Sequence, residues 1–270
     1  MSETIAILGC GWLGLPLGAE LVRRGYRVKG STTRTERLPM LAQVGVEPYL
    51  LHFSPQPQGD LPGLLTDVGV LIVAIPPRAG QQGDAFHPQQ IESLIDSLRV
   101  LNKTLPVIYF SSTSVYPDLG RELTEQDEVL KTHPLIGAEN RLKAAGLPLT
   151  IMRFGGLMGY DRIPGKYFIG KTVTTGDVPV NYIHRDDAVA SVSELIRQTG
   201  WGEILNVVAP QHPLRREVYL RNAVQFGWEA PRFAVPDSPE AFKIVSPARL
   251  VERLDYRFLF PDPLQFFYAL

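Results

Sequence analysis

The stretch Gly9-Cys10-Gly11-Trp12-Leu13-Gly14 constrains this chain more than any other. It follows the apolar run Ile5-Ala6-Ile7-Leu8 and opens a segment with helical periodicity. A buried strand, a glycine turn and a helix in that order form the opening of a dinucleotide-binding unit. Each glycine answers a physical need. Gly9 permits a tight turn, Gly11 lets the backbone approach a pyrophosphate, and Gly14 lets the helix pack closely on the strand. The helix start then presents backbone N–H groups and the positive end of its dipole to the phosphates.

The alternation continues along the chain. Short apolar or β-branched runs predict strands at 4–8, 26–31, 46–53, 68–75, 107–110, 149–154 and 204–208. Helical patterns fall at 14–24, 35–43, 88–101, 135–145 and 186–197, with Gly25 and Gly45 as stops for the first two. This order predicts an α/β fold, a Rossmann-type doubly wound parallel sheet. The segments 162–180 and 211–270 are rich in Pro, Gly and aromatics. The expected organisation is a nucleotide-binding domain over 1–160, with 181–209 returning to it. A small C-terminal substrate lobe is expected from 161–180 and 210–270.

Composition excludes several function classes. The net charge is −1 and no basic stripe is interleaved with aromatics, which argues against a nucleic-acid partner. Cys10 is the one cysteine, so no internal disulfide can form, as expected in a reducing compartment. The apolar run near the N-terminus has four residues, too short for a membrane span or signal peptide. These features lead us to expect a cytoplasmic protein with a small-molecule substrate and no membrane partner. His, Asp and Cys show no metal-ligand spacing, so no metal is expected. A nucleophilic role for Cys10, inside the phosphate turn, is not expected either.

The residues after the second strand bear on cofactor choice. An acidic residue about 20 positions past the glycine motif would hold the ribose 2′-hydroxyl of NAD. Here the chain reads Gly30-Ser31-Thr32-Thr33-Arg34-Thr35-Glu36-Arg37, with no carboxylate at the strand end. Ser31, Thr33, Arg34 and Arg37 are suited to a 2′-phosphate, which a guanidinium fork grips well. NADP is therefore expected over NAD.

Further segments carry a family resemblance. They are Ile7-Leu8-Gly9-Cys10-Gly11-Trp12-Leu13-Gly14, Phe110-Ser111-Ser112-Thr113-Ser114-Val115-Tyr116, Arg153-Phe154-Gly155-Gly156-Leu157-Met158-Gly159 and Asn181-Tyr182-Ile183-His184-Arg185-Asp186-Asp187-Ala188. Asn206-Val207-Val208-Ala209-Pro210 and Leu254-Asp255-Tyr256 follow. In this order they resemble the extended, nucleotide-sugar-modifying branch of the short-chain dehydrogenase/reductase superfamily, and its atypical bacterial members most closely. The resemblance implies cofactor contacts at Gly9, Gly11, Trp12, Leu13, Gly14, Ser31, Thr33, Arg34, Ala74, Ile75, Pro76 and Ser111. It implies that Ser112 holds the reacting oxygen, and it implies a homodimer.

In that family a Tyr, with a Lys four residues later on the next helix, supplies the acid/base group. The corresponding segment here, Lys131 to Lys143, contains no tyrosine. A Tyr-x-x-x-Lys spacing does occur at Tyr167 and Lys171, but Gly165 and Gly170 argue against a helix there. Tyr116 is the other candidate phenol. His184, Asp186 and Asp187 read as a helix start rather than a catalytic cluster.

Two readings stay open. One is an NADP-dependent oxidoreductase or epimerase acting on a hydroxyl or carbonyl, with nucleotide sugars as a substrate class. The other is a non-catalytic NADP(H)-binding sensor or scaffold.

Overall fold

The computed structural model describes residues 3–77 and 79–270. In chain order its elements begin β1 (Thr4–Leu8), α1 (Gly14–Arg23), β2 (Arg27–Thr32), α2 (Leu38–Gln43), β3 (Glu47–Phe53), β4 (Pro57–Gly59), α3 (Leu61–Leu65), β5 (Val70–Val73), α4 (Ala79–Gln82), α5 (Phe86–Val100) and β6 (Val107–Ser112). They continue with β7 (Glu122–Leu123), α6 (Pro134–Ala144), β8 (Leu149–Phe154), β9 (Gly156–Met158), β10 (Thr172–Val173), β11 (Tyr182–His184), α7 (Arg185–Gln198) and β12 (Ile204–Val207). Then come α8 (Arg215–Phe226), β13 (Arg232–Phe233), β14 (Ile244–Val245) and α9 (Ala248–Leu254). The expected strands and helices are present, with ends shifted by a few residues, and Gly25 and Gly45 follow α1 and α2 with positive φ.

The main sheet has the order β12-β8-β6-β5-β1-β2-β3-β4. Strand β1 pairs in parallel with β2 and β5, β2 with β3, and β5 with β6, while the short edge strand β4 is antiparallel to β3. Ile5 to Leu8 and Val70 to Val73 are essentially fully buried, as expected of strands covered on both faces. From β1 the chain builds outward through β2 and β3, then crosses to β5 and builds through β6 on the other side. The strand order therefore reverses beside β1, where open α/β sheets leave a crevice at the carboxyl ends.

Contacts divide the chain into two units. The first holds Met1–Val115, Val129–Arg153 and Val192–Ile204; the second holds Tyr116–Glu128, Phe154–Ser191 and Leu205–Leu270. The second unit thus takes in four stretches, 116–128, 154–160, 181–191 and 205–209, that the sequence analysis gave to the nucleotide-binding domain. The parallel pairs β9–β11 and β7–β14 lie within this second unit.

In the first unit, α5 carries a buried polar chain. His87 Nδ1 lies 3.1 Å from Gln90 Oε1, His87 Nε2 lies 2.7 Å from the Tyr109 hydroxyl, and Gln90 Nε2 donates to the Phe53 carbonyl at 2.9 Å. Nδ1 donating and Nε2 accepting satisfies the ring only when it is neutral. Burial pushes the His87 pKa below the ordinary histidine value, against the opposing pull of Gln90. A depressed folded-state pKa means the unfolded chain takes up the proton first. The stability contributed by neutral His87 is present above about pH 6.5 and is lost as pH falls below it, at up to about 1.4 kcal/mol per pH unit. Replacing His87 with Gln should flatten the fall in stability between pH 6.5 and 5, measured by denaturant titration. An unchanged slope in the variant would contradict this account.

The second unit has its own apolar clusters. One gathers Ile163, Ala209, Phe266 and Tyr268, and another gathers Val173, Val180, Val218 and Tyr219. Asp187, fully buried at the start of α7, ties down the C-terminal segment. It accepts from the Tyr256 hydroxyl at 2.8 Å and from the N–H groups of Leu259 and Phe260 at 2.8 and 2.9 Å. His184 is buried too, with Nδ1 accepting from the Asp186 N–H at 3.2 Å and Nε2 3.1 Å from the Phe267 carbonyl. Both groups are engaged in holding backbone.

Candidate functional site

The glycine turn forms for steric reasons. Gly9 sits at φ +109°, and a Cβ there would stand 2.9 Å from the Ala74 carbonyl oxygen. A Cβ on Gly14 would stand 2.3 Å from the Gly9 carbonyl oxygen, whereas one on Gly11 would meet nothing within 4 Å. The turn is closed on the β5 side and open at Gly11. It is pinned from β2: the Gly9 N–H donates to Ser31 Oγ at 2.9 Å and the Cys10 N–H to the Ser31 carbonyl at 2.7 Å. Helix α1 starts at Gly14 with no side-chain cap and no acidic residue in its first turn. Such an end accommodates an anion.

Beside the turn lies a cavity of about 410 Å³ at the carboxyl ends of β1, β2, β3 and β5. Of the expected cofactor contacts, Gly9, Gly11, Ser31, Thr33, Arg34, Ala74, Ile75 and Pro76 line it. Trp12, Leu13, Gly14 and Ser111 do not. Leu13 and Gly14 are buried at the start of α1, where they shape the turn from behind. Arg37 joins Arg34 in the lining, and no carboxylate is among the described lining residues. The sequence analysis missed His52 and Phe53 at the end of β3, Ser54 just after it, and Phe86 and Gln90 on α5. Nothing local marks them, because they arrive through the pairing of β3 with β2 and the path of α5. Ser31 lines the cavity and also pins the turn, its hydroxyl oxygen accepting from the Gly9 amide. Burial pushes the Cys10 thiol up to about 12, which leaves no thiolate for chemistry near neutrality.

At the carboxyl end of β6 the serines take different roles. Ser111 is buried and donates to Glu139 Oε1 at 2.7 Å. Glu139 is 0% exposed and pairs with Arg153, itself 2% exposed, at 2.7 Å. Ser111 thus belongs to a buried ion-pair network instead of reaching the cavity. Ser112 is half-buried, and its Oγ accepts from the Ser114 N–H at 3.1 Å. Ser114 is exposed, and its Oγ lies 3.3 Å from Nε2 of His133, the residue that caps α6.

The candidate phenols sit in the second unit. Tyr116 is 1% exposed, and its hydroxyl donates to Asn206 Oδ1 at 2.9 Å. Its backbone carbonyl accepts from Lys243 Nζ at 2.7 Å. The expected acid/base role is not served by this placement, because the phenol is packed in the interior and its proton is committed to an amide. Tyr167 is 61% exposed on the single 3₁₀ turn Pro164–Phe168, and Gly170 has φ +65°. The Tyr167/Lys171 spacing therefore falls on no α-helix.

No protein-family model matches the chain. Protein YeeZ of Escherichia coli strain K12 is 34% identical over 270 residues, covering 97% of this chain and 98% of that protein. The same figures hold for YeeZ of Escherichia coli O157:H7. Among solved structures, a conserved protein of unknown function from Silicibacter pomeroyi DSS superposes with a TM-score of 0.78 at 22% identity, covering 97% of this chain and 96% of that one. The UDP-glucuronic acid 4-epimerase of Bacillus cereus, solved in complex with NAD, gives a TM-score of 0.79 at 16% identity, covering 98% of this chain and 95% of that one. The match to YeeZ along nearly the whole of both chains shows that the chain belongs to the family of Escherichia coli protein YeeZ, with a Rossmann-type α/β fold like that of the epimerase above.

Proposed function

We propose that this protein binds a nicotinamide dinucleotide with its diphosphate at the Gly9–Gly14 turn and uses it in oxidation or reduction at a hydroxyl or carbonyl of a small molecule. The observation that carries the reading is the open side of Gly11 beside an uncapped helix start, continuous with a cavity at the strand-order reversal. When bound, the dinucleotide supplies or accepts hydride. The chain's own residues do the rest. Main-chain amides meet the phosphates, and Ser112 at the end of β6 offers a hydroxyl to the reacting oxygen.

The cofactor assigned is NADP(H). Among the described residues, Arg34, Arg37 and no carboxylate line the cavity past β2, a charge pattern suited to a 2′-phosphate and unsuited to a bare 2′-hydroxyl held by an acid. The Bacillus cereus neighbour holds NAD, so the preference needs a direct test. Fluorescence titration of the purified protein should show NADPH bound at least tenfold more tightly than NADH. Arg34→Ala and Arg37→Ala should each remove most of that difference, about 1.5–3 kcal/mol for a hydrogen bond to a charged group. Equal affinities in the wild type would return the assignment to NAD, and no binding of either nucleotide would remove the reading altogether.

The substrate class proposed first is a nucleotide-linked sugar, on the likeness in fold to the UDP-glucuronic acid epimerase. Steady-state assays against UDP-sugars and a panel of simple carbonyl compounds test it. Wild-type protein that binds NADPH and turns over none of them would favour the non-catalytic alternative.

A further inference from the structure

The reacting oxygen needs more than one donor, and the segment 131–143 provides no phenol. We propose that Ser112 and Ser114 together form a two-hydroxyl cradle for that oxygen, with His133 as the positioning residue that orients Ser114. The inference rests on the oxidoreductase reading above and assigns the groups that polarise the substrate carbonyl.

The argument begins with hydrogen bookkeeping. His133 Nδ1 accepts from the Leu135 N–H at 3.2 Å, capping α6. A neutral ring whose Nδ1 accepts carries its hydrogen on Nε2. Nε2 stands 3.3 Å from Ser114 Oγ, so the imidazole donates to that oxygen. The Ser114 hydroxyl hydrogen is then turned away from the ring. The same logic applies two residues earlier. Ser112 Oγ accepts from the Ser114 N–H at 3.1 Å, which turns the Ser112 hydroxyl hydrogen away from the backbone. Both hydroxyls keep access to solvent: Ser112 is half-buried and Ser114 exposed. Both follow the carboxyl end of β6, the side of a parallel sheet where ligands bind.

Two O–H donors on one turn, each with its oxygen already engaged by an N–H, match an oxygen that is gaining charge. With a nicotinamide dinucleotide bound, hydride addition to a carbonyl carbon would move the carbon–oxygen electron pair onto the oxygen, where the two hydroxyls stabilise the charge. A proton from water then completes the alcohol. In the reverse direction the alcohol's proton would pass to water, and the same donors hold the alkoxide from which hydride departs to leave the carbonyl. The imidazole acts through Ser114. His133 is also the residue that starts α6, so one ring joins the helix to the turn after β6.

The test uses the full-length chain and the compound in the panel above that the wild type reduces fastest. Ser114→Ala should lower kcat by about a hundredfold, the usual scale for one oxyanion donor, and leave KM and NADPH affinity within about twofold. His133→Asn keeps an N-cap acceptor but loses the Nε2 donor, and should lower kcat about tenfold with an unchanged melting temperature. A long-range nitrogen–proton NMR spectrum of the protein without nucleotide should show His133 as the Nε2–H tautomer. Its Nε2 resonance should shift in Ser114→Ala. A ring protonated on Nδ1 alone would overturn the inference, as would a Ser114→Ala enzyme of wild-type kcat. Both results leave the oxidoreductase reading standing. A wild type that reduces nothing would instead bring down that reading, and this inference with it.

Discussion

Replacing Arg153 with Met is expected to destabilise the protein by about 3–5 kcal/mol, the cost of leaving a buried charge without its partner. Glu139 is 0% exposed. Its Oε2 takes Arg153 Nη2 at 2.7 Å, and its Oε1 takes Arg153 Nε at 3.1 Å and the Ser111 hydroxyl at 2.7 Å. Lys143 Nζ is 3.5 Å away, but its side chain is 43% exposed and gives a screened interaction. With the guanidinium gone, the carboxylate keeps one hydroxyl and a distant ammonium. Denaturant titration reads the loss directly. The double variant Glu139→Leu with Arg153→Met should recover most of it, since an apolar pair of similar volume removes both charges together. A single Arg153→Met variant within about 1 kcal/mol of the wild type would show that Glu139 finds its compensation elsewhere.

The second large effect concerns the glycine turn and separates its structural part from its binding part. Gly14→Ala places a Cβ 2.3 Å from the Gly9 carbonyl oxygen, a backbone atom that cannot move without reshaping the turn. The expected cost is about 1–3 kcal/mol of stability, accompanied by a loss of NADPH affinity of more than tenfold. Gly11→Ala is the contrasting case. Its Cβ meets nothing within 4 Å, so the fold should melt within about 2 °C of the wild type. That Cβ nevertheless stands on the open side, where the diphosphate is proposed to approach. NADPH affinity should fall at least tenfold in a protein that is otherwise intact. Should Gly11→Ala bind NADPH as tightly as the wild type, the turn would not be the diphosphate cradle.

These expectations differ in how far the sequence announced them. The turn was legible because its constraints are local: a run of four apolar residues, three spaced glycines and a helical pattern lie within one short segment. The strands β1 and β5 were equally plain, since strands covered on both faces read as continuous apolar runs. The cavity was half legible. The ends of β1, β2 and β5 carry the motif and the residues after it. His52, Phe53, Ser54, Phe86 and Gln90 line the same cavity with no signature of their own. Ser31 and Ser111 were found by position and given parts as cofactor contacts. The fold puts Ser31 on the Gly9 amide and Ser111 on Glu139. A hydroxyl can donate to or accept from whatever stands next to it, so its residue type alone leaves its partner open.

The sequence by itself determined the alternation of strands and helices, the glycine turn and the missing tyrosine, because each follows from residues a few positions apart. Only the tertiary structure decided that Glu139 meets Arg153, that β3 brings its end to the cavity and that His133 meets Ser114. These partners are separated along the chain and are brought together by burying apolar faces on a common sheet, and a short window of sequence carries no record of which faces will share a neighbour.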